Sequence, residues 1–439
     1  MHDDRGRGAG LATLRWVLGG EPVARDDFFS GFVALPPNLR PLAADWGLRH
    51  LDALGAENRE LLVRVLREAT VGWMARKAVV RDIRSALDDS GVQAVFLKGV
   101  ALAEQVYPRP ATRPSSDIDV WIHPDSLSVA IGSLSEGGFV VPPRFAEASD
   151  PRGPVPMTYL EKRVAGVPVL VDLHVRPISL RALTDGEVQA MWASRVPVGP
   201  TGLPVLSLDV QLLHVCLHIS RSHGFVSGLK AIVDVAMIVR AWPDPELWKA
   251  FRTRVIEVRA EHPVFVCLEL ARELLAVRIP RWVIEELRAG VGRTVIDQAR
   301  PLLWVREPNL PEGTVKLLGG GLPEPEWFRN RLVLRRFITA EDRKQMTPGE
   351  RPPLRLIGRF LWRRFSSVSR LILRGDALRP AFWRRVATER GRNRLLKDLD
   401  RVQARQARPR AIEGGFGPVS PETGIGLRPP EPGRIRGDP

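Results

Sequence analysis

The chain of 439 residues has only two cysteines and no long hydrophobic run. Cys216 and Cys267 both fall in apolar helical patterns, so we expect buried thiols in a reducing compartment rather than a disulfide framework. No run of about 18 apolar residues is present, which argues against a membrane-spanning helix. The first ten residues, MHDDRGRGAG, lack the apolar stretch of a secretory signal. Together these absences favour a cytoplasmic protein.

Lysine is also scarce, with 8 lysines against 57 arginines. Such a bias often reflects coding composition, so a single arginine carries little functional weight. The net charge is +15, but residues 321–439 alone hold 27 Lys and Arg against 13 Asp and Glu. The rest of the chain is therefore nearly neutral, and bulk charge does not indicate its chemistry.

The order of periodic segments predicts an α+β fold with five regions. These are an N-terminal helical region, a small α/β core with a mixed sheet, a larger all-α domain, a basic helical region and a disordered tail, at residues 1–90, 91–185, 186–318, 319–406 and 407–439. The first region ends in a long helix from Ala56 to Ser90. Ser207 is the predicted N-cap of a helix in the all-α domain.

Short apolar runs alternate with turn residues in the α/β core. We expect short helices near residues 100–106 and 126–136, and strands at 91–97, 117–122, 139–141, 159–164 and 167–175. In the all-α domain we expect helices at residues 229–240, 245–257, 264–275 and 281–287.

Acidic side chains are placed in this core for metal chemistry. Asp117 and Asp119 point to the same face of one strand because side chains alternate along a strand. Two adjacent carboxylates repel each other unless a cation neutralises them, and Mg²⁺ prefers such hard oxygen ligands. Asp172 on a later strand can supply a third carboxylate. Three aspartates around two metal ions are typical of enzymes that transfer phosphoryl groups.

The Lys98-Gly99 turn precedes this strand and fits a phosphate. Gly99 has no Cβ, which permits close approach of the backbone, and the helix that follows offers free N–H groups. Lys98 adds a positive charge. An ordinary turn glycine and a solvated lysine remain the alternatives.

The segments LKGVALAEQVY, SDIDVWI and VDLHVR together resemble the uncharacterised nucleotidyltransferase family of the DNA polymerase beta-like superfamily. The resemblance implies transfer of a nucleoside monophosphate from an NTP to a hydroxyl group. It assigns Asp117 and Asp119 to the metal pair, Asp172 to the third carboxylate and Gly99 to the phosphate turn. In the all-α domain, it places His218 and Lys230 at substrate-binding positions, with Lys230 as a triphosphate contact.

Other polar residues have two interpretations each. Arg113 is a candidate substrate contact, although arginine is abundant here. His174 can bind a metal or orient Asp172, but a structural role is favoured. The pair His214 and His218 has a spacing that can bind zinc, yet we favour a structural or substrate-lining role. Lys230 with Asp234 can also be a surface ion pair.

The segment 354–374 predicts a basic amphipathic helix. It can dock on the other domains, lie on an anionic membrane surface, which would make the protein peripheral at the membrane, or bind nucleic acid. Hydrophobic periodicity does not separate these three interpretations.

Two functional hypotheses follow. The leading one is an Mg²⁺-dependent nucleotidyltransferase with two metal ions, Mn²⁺ being an alternative, acting on an NTP and an unidentified hydroxyl-bearing acceptor. The superfamily usually has Gly-Ser or Gly-Gly at the turn, whereas here Val100 follows Gly99. That departure motivates the second hypothesis, a non-catalytic nucleotide-binding or scaffolding module that acts through its basic C-terminal segment.

Overall fold

In the computed structural model of the protein, the described residues are 2–52, 54–142, 157–177, 184–242, 245–288, 290–305, 387–388 and 390–399. The predicted amphipathic helix at 354–374 and the tail at 407–439 lie outside these ranges.

Four helices precede the sheet. They are α1 His2–Val17, α2 Arg25–Ala34, α3 Arg40–His50 and α4 Ala56–Asp89. The predicted long helix is confirmed as α4, which ends one residue earlier than expected. Its buried side chains recur at helical spacing along one face, which includes Val79, Ile83 and Leu87. That face packs on the sheet and on the helix after β2.

Six strands form one mixed sheet. The elements in chain order are β1 Ala94–Leu97, helix α5 Lys98–Gln105, β2 Asp117–Ile122, helix α6 Leu127–Glu136, β3 Met157–Val164, β4 Val167–His174, helix α7 Asp185–Ala193, β5 Arg195–Val198 and β6 Leu203–Leu206. The strand order is β3-β4-β2-β1-β6-β5. The β2–β4 and β1–β6 pairs are parallel and the others are antiparallel. The predicted α+β class is consistent with this mixed sheet and its surrounding helices.

The strands at β1, β2 and the β3–β4 hairpin were predicted and are confirmed. The hairpin turns at Ala165 and Gly166, which both have positive φ angles of 49° and 81°. Two consecutive positive φ angles match the twist of the flanking strands in a tight hairpin.

The predicted strand at residues 139–141 is wrong. Only one isolated bridge forms there, between Val140 and Glu161. Phe139 is buried in the core of the sheet, whereas Val140 and Val141 are exposed. The apolar run therefore anchors one aromatic side chain and does not add a strand.

Strands β5 and β6 were not predicted. Each has four residues and contains a proline, Pro197 or Pro204, and proline weakens a strand pattern in the sequence. They join the same sheet through β1, so the sheet continues past residue 185.

The two faces of the sheet pack differently. Ile118, Val120 and Ile122 of β2 point to the face covered by α4 and α6. Trp121 points to the opposite face and joins the core of the helical part of the chain. Asp117 and Asp119 share the face of Trp121 because side chains alternate along the strand.

The helices that follow the sheet are α8 Leu208–Leu217, α9 Leu229–Arg240, α10 Pro245–Glu257, α11 Glu261–Leu275, α12 Arg281–Arg288 and α13 Arg293–Leu302, with a π-helical turn at His218–Ser222. Helices α9 and α10 have the predicted bounds. Both cysteines are free and buried, as predicted. The helix at residues 390–399 packs against α13, where Gln298 donates to Asp398 at 3.2 Å. Within the described ranges, every helix is too short or too polar to cross a bilayer.

Candidate functional site

The parallel pairing of β2 with β4 assembles the centre of the site. In this ladder, Asp119 lies opposite Asp172, and Trp121 lies opposite His174. Asp119, Asp172 and His174 therefore share one face of the sheet, and all three are buried. Their candidate ligand atoms lie within 4.8 Å of one another. His174 Nε2 is 3.0 Å from Asp119 Oδ1 and 3.3 Å from Asp172 Oδ2.

The two buried carboxylates have opposite electrostatic environments. Burial alone would raise the pKa of Asp119, but the Lys98 ammonium and a hydrogen bond with His174 outweigh it and hold that pKa well below its usual range. Burial raises the pKa of Asp172 to about 6, although the charge of His174 opposes the increase. A buried carboxylate with a raised pKa is poorly neutralised by its surroundings.

The donor set fits a divalent cation. Two carboxylates and one imidazole are ligands that divalent metal ions accept. Asp172 Oδ1 is buried and has no hydrogen-bond partner among the described residues. A buried carboxylate oxygen normally has a partner, so this atom is a natural position for metal coordination. The sequence offered metal binding or orientation of Asp172 as roles for His174 and favoured a structural role, and the folded sheet places this side chain within the group.

Asp117 lies at the rim of this group. It is half-buried, and Ser116 Oγ donates to its Oδ1 at 3.3 Å. Burial raises its pKa, and the nearby charge of Asp119 raises it further. Asp117 therefore interacts electrostatically with Asp119, as expected for the predicted pair, but it is not part of the tight Asp119–Asp172–His174 group.

Lys98 lies directly on the carboxylate group. Its Nζ donates to Asp119 Oδ1 at 2.7 Å. Lys98 is the first residue of α5 and has a φ of 42°, a left-handed conformation that is uncommon for a residue with a Cβ. The structure thus pairs Lys98 with a metal-ligand candidate, whereas the sequence offered a phosphate contact or a solvated side chain.

Gly99 is required for close packing. A Cβ added at Gly99 would lie 2.8 Å from both Cβ and Oγ of Ser115, and 3.3 Å from Arg113 Nη1. The backbone of α5 therefore contacts the loop before β2 directly. Nothing in the sequence singled out Ser115, because the contact joins two segments that only the folded sheet brings together.

Arg113 forms a buried ion pair with Asp234. Arg113 Nε donates to Asp234 Oδ1 at 2.9 Å and Nη2 donates to Oδ2 at 2.7 Å. The hydroxyl of Tyr107 also donates to Oδ1, at 2.7 Å. The alternative prediction of a surface pair between Lys230 and Asp234 is therefore wrong, because Asp234 is buried and faces Arg113. Arg113 Nη1 is buried without a hydrogen-bond partner among the described residues.

Lys230 lies near this ion pair. Its Nζ has a long contact of 3.4 Å to the carbonyl oxygen of Pro114. Burial, together with the positive charge of Arg113, lowers the pKa of Lys230 to about 8. A lysine held this way can gain a large amount of stabilisation from an anionic ligand.

Three histidines line the helical side of the site. His214 Nε2 is 2.9 Å from the carbonyl oxygen of Pro177, and because a carbonyl only accepts, Nε2 carries the proton. Burial lowers the pKa of His214 to about 3, and burial with the charge of Lys98 lowers that of His218. His218 Nε2 lies 3.0 Å from His223 Nε2. Among the described residues, these histidines do not form a group of three with metal-ligand spacing.

A cavity of about 530 Å³ lies elsewhere, between α11, α12 and α13. Its charged side chains include Glu269 and Arg272, which pair with each other at 2.7 Å. None of the predicted site residues lines it.

Comparison with known proteins gives one family match. Residues 47–276, more than half of the chain, match the model of a family described as an uncharacterised nucleotidyltransferase. No curated protein and no solved structure gives a significant match. The matched segment contains the whole sheet and all of helices α4 to α11. The chain therefore belongs to this uncharacterised nucleotidyltransferase family, and its enzyme class is that of transferases of phosphorus-containing groups.

Proposed function

We propose that the protein is a divalent-metal-dependent enzyme with a polymerase-beta-like core that transfers a nucleoside monophosphate from an NTP to a hydroxyl group and releases pyrophosphate. The observation that carries this proposal is the buried Asp119–Asp172–His174 group on adjacent strands. In a member of a nucleotidyltransferase family, such a group would bind the divalent metal ion that nucleotidyl transfer uses.

In this proposal, Asp119, Asp172 and His174 would hold a metal ion, and Asp117 at the rim would help Asp119 to hold a second one. When bound at these residues, such an ion would supply Lewis-acid stabilisation of the charge on the reacting phosphate. Carboxylate oxygens suit Mg²⁺, while the nitrogen of His174 also admits Mn²⁺.

Asp172 is the candidate general base. It is buried beside Asp119 in the group, and a carboxylate within hydrogen-bond reach of the acceptor hydroxyl would take its proton. A proton taken by Asp172 leaves the acceptor oxygen free to attack the α-phosphate. His218 and His223 lie on the helical side and supply neutral hydrogen-bonding groups for the acceptor.

Positive charge for the triphosphate comes from three side chains. Lys98 and Lys230 carry ammonium groups near the carboxylates. Arg113 Nη1 lies beside Gly99 and has no hydrogen-bond partner among the described residues. The first-turn N–H groups of α5 add the positive end of its helix dipole. Helices from the 186–318 region would close over this cleft and select the acceptor.

The test is a screen with purified protein, each of the four NTPs labelled at the α-phosphate, Mg²⁺ or Mn²⁺, and a panel of hydroxyl compounds and cell extracts. We expect pyrophosphate release and transfer of label to an acceptor. Tight nucleotide binding without pyrophosphate release in every combination would instead support the non-catalytic module.

Nucleotide affinity is also expected to depend on pH through Lys230. Below pH 8 this side chain is charged, and it loses its charge as the pH rises through about 8. The loss of one charged contact predicts about tenfold weaker binding of a Mg-NTP complex at pH 9.5 than at pH 7. Titration calorimetry across this range measures the effect.

Lys230→Arg keeps its charge and should bind nucleotide about equally at both pH values. Lys249 is exposed and serves as a matched control, since Lys249→Arg should reproduce the wild-type profile. A wild-type affinity that does not change between these pH values would contradict the assignment of Lys230.

A further inference from the structure

We infer that Lys98 is an internal counter-ion that competes with divalent cations for Asp119 and gives up this position when a nucleotide binds. The inference rests on the proposed function, because it concerns the same carboxylates and the same triphosphate.

The contact geometry places Lys98 in the position of a competing cation. Lys98 Nζ lies 2.7 Å from Asp119 Oδ1, and His174 Nε2 lies 3.0 Å from the same oxygen. A carboxylate oxygen has two lone pairs, so both are engaged. A metal ion that uses this oxygen must therefore displace one of the two groups.

Charge makes Lys98 the group that must leave. His174 can become a metal ligand through Nε2 in the tautomer that carries its proton on Nδ1, whereas an ammonium group offers no lone pair and repels a divalent cation. The side chains of Lys98 and Asp119 are only 17% and 5% exposed, so water screens this repulsion weakly. An ammonium group and a metal ion on the same oxygen would be strongly unfavourable.

The backbone holds Lys98 close to both Asp119 and the first turn of α5. Leu97 pairs with Asp119 across the β1–β2 ladder, which fixes the start of α5 beside the carboxylates. The next residue, Lys98, has a left-handed φ of 42° and belongs to the first turn of α5. Strained residues of this kind cluster at ligand-binding sites. From the same Cα, the flexible side chain can reach Asp119 or an anion near the N–H groups of α5.

The consequence is coupled binding. A triphosphate that attracts Lys98 removes the positive charge from Asp119, and the metal then binds more tightly. By linkage, the metal strengthens nucleotide binding by the same factor. Metal alone should therefore bind weakly to the wild-type protein, and removal of the Lys98 charge should tighten it.

The test measures two ligands separately on the full chain. Mn²⁺ binding without nucleotide is followed by electron paramagnetic resonance, and binding of each of the four NTPs is followed by calorimetry in excess EDTA. Lys98→Met should bind Mn²⁺ at least about tenfold more tightly than wild type, and the best NTP several-fold more weakly. Lys98→Arg keeps the charge and should resemble wild type in both measurements.

Opposite shifts of the two affinities cannot result from misfolding, which weakens both. Lys98→Gln is a second neutral variant if Lys98→Met does not fold. Unchanged or weaker Mn²⁺ binding in the folded neutral variant overturns the inference about Lys98. Failure of the proposed function can be told apart from failure of the inference about Lys98. If Asp119 binds no metal, Asp119→Asn would also leave the Mn²⁺ affinity unchanged.

Discussion

Asp119→Asn is expected to reduce nucleotidyl transfer by about 10³-fold or more. A metal ion held by a carboxylate stabilises the charge of the transition state by several kcal/mol. Each 1.4 kcal/mol lost corresponds to about a tenfold lower rate. Asp119 contacts both His174 and Lys98, so its neutralisation disturbs every other group of the centre. The measurement is the rate of pyrophosphate release at saturating NTP and metal.

A matched control is available close by. Asp125 follows the same strand, but its side chain is 90% exposed and lies outside the carboxylate group. Asp125→Asn should retain the wild-type rate within about twofold, since surface substitutions away from a site rarely matter. If Asp119→Asn retained more than a tenth of the wild-type rate, the carboxylate would not be a metal ligand in the reaction.

The second large effect is on stability. Arg113→Ala should lower the free energy of unfolding by about 3–5 kcal/mol, because it leaves the buried charge of Asp234 without its bidentate partner. Tyr107 still donates one hydrogen bond to Asp234, but a neutral hydroxyl does not replace a guanidinium. Urea denaturation followed by circular dichroism measures the change.

Two further variants test whether the loss of stability comes from the buried ion pair or from the loss of any arginine. Arg281→Ala removes an exposed pair with Glu285 and should cost less than about 1 kcal/mol. The double variant Arg113→Met, Asp234→Leu removes both charges and should be more stable than either single variant. A loss below about 1 kcal/mol for Arg113→Ala would show that the pair is not energetically important.

The local pattern of the sequence was sufficient to place the main elements. Strand β2 was predicted with its observed bounds because apolar and acidic residues alternate between two turns. The common face of Asp117 and Asp119 followed from the same alternation. The β3–β4 hairpin followed from Ala165-Gly166, a turn that needs positive φ angles.

Long-range pairing was not accessible in this way. The register that sets Asp119 beside Asp172 joins strands about fifty residues apart, so the tight group with His174 appears only in the folded sheet. The same limit explains Asp234, whose near neighbour in sequence is Lys230 but whose partner is Arg113 on another segment. Spacing in the sequence favours the local pair of Lys230 with Asp234. In the folded protein, the buried Asp234 pairs with Arg113 instead.

Diffraction from crystals grown with Mn²⁺ and a non-hydrolysable NTP tests the metal centre most directly. We predict an anomalous peak within about 2.1–2.4 Å of carboxylate oxygens of both Asp119 and Asp172, with the triphosphate adjoining it. Lys98 Nζ should have left Asp119 for the phosphates. A bound nucleotide whose Mn²⁺ ions contact neither Asp119 nor Asp172 would contradict the proposed centre.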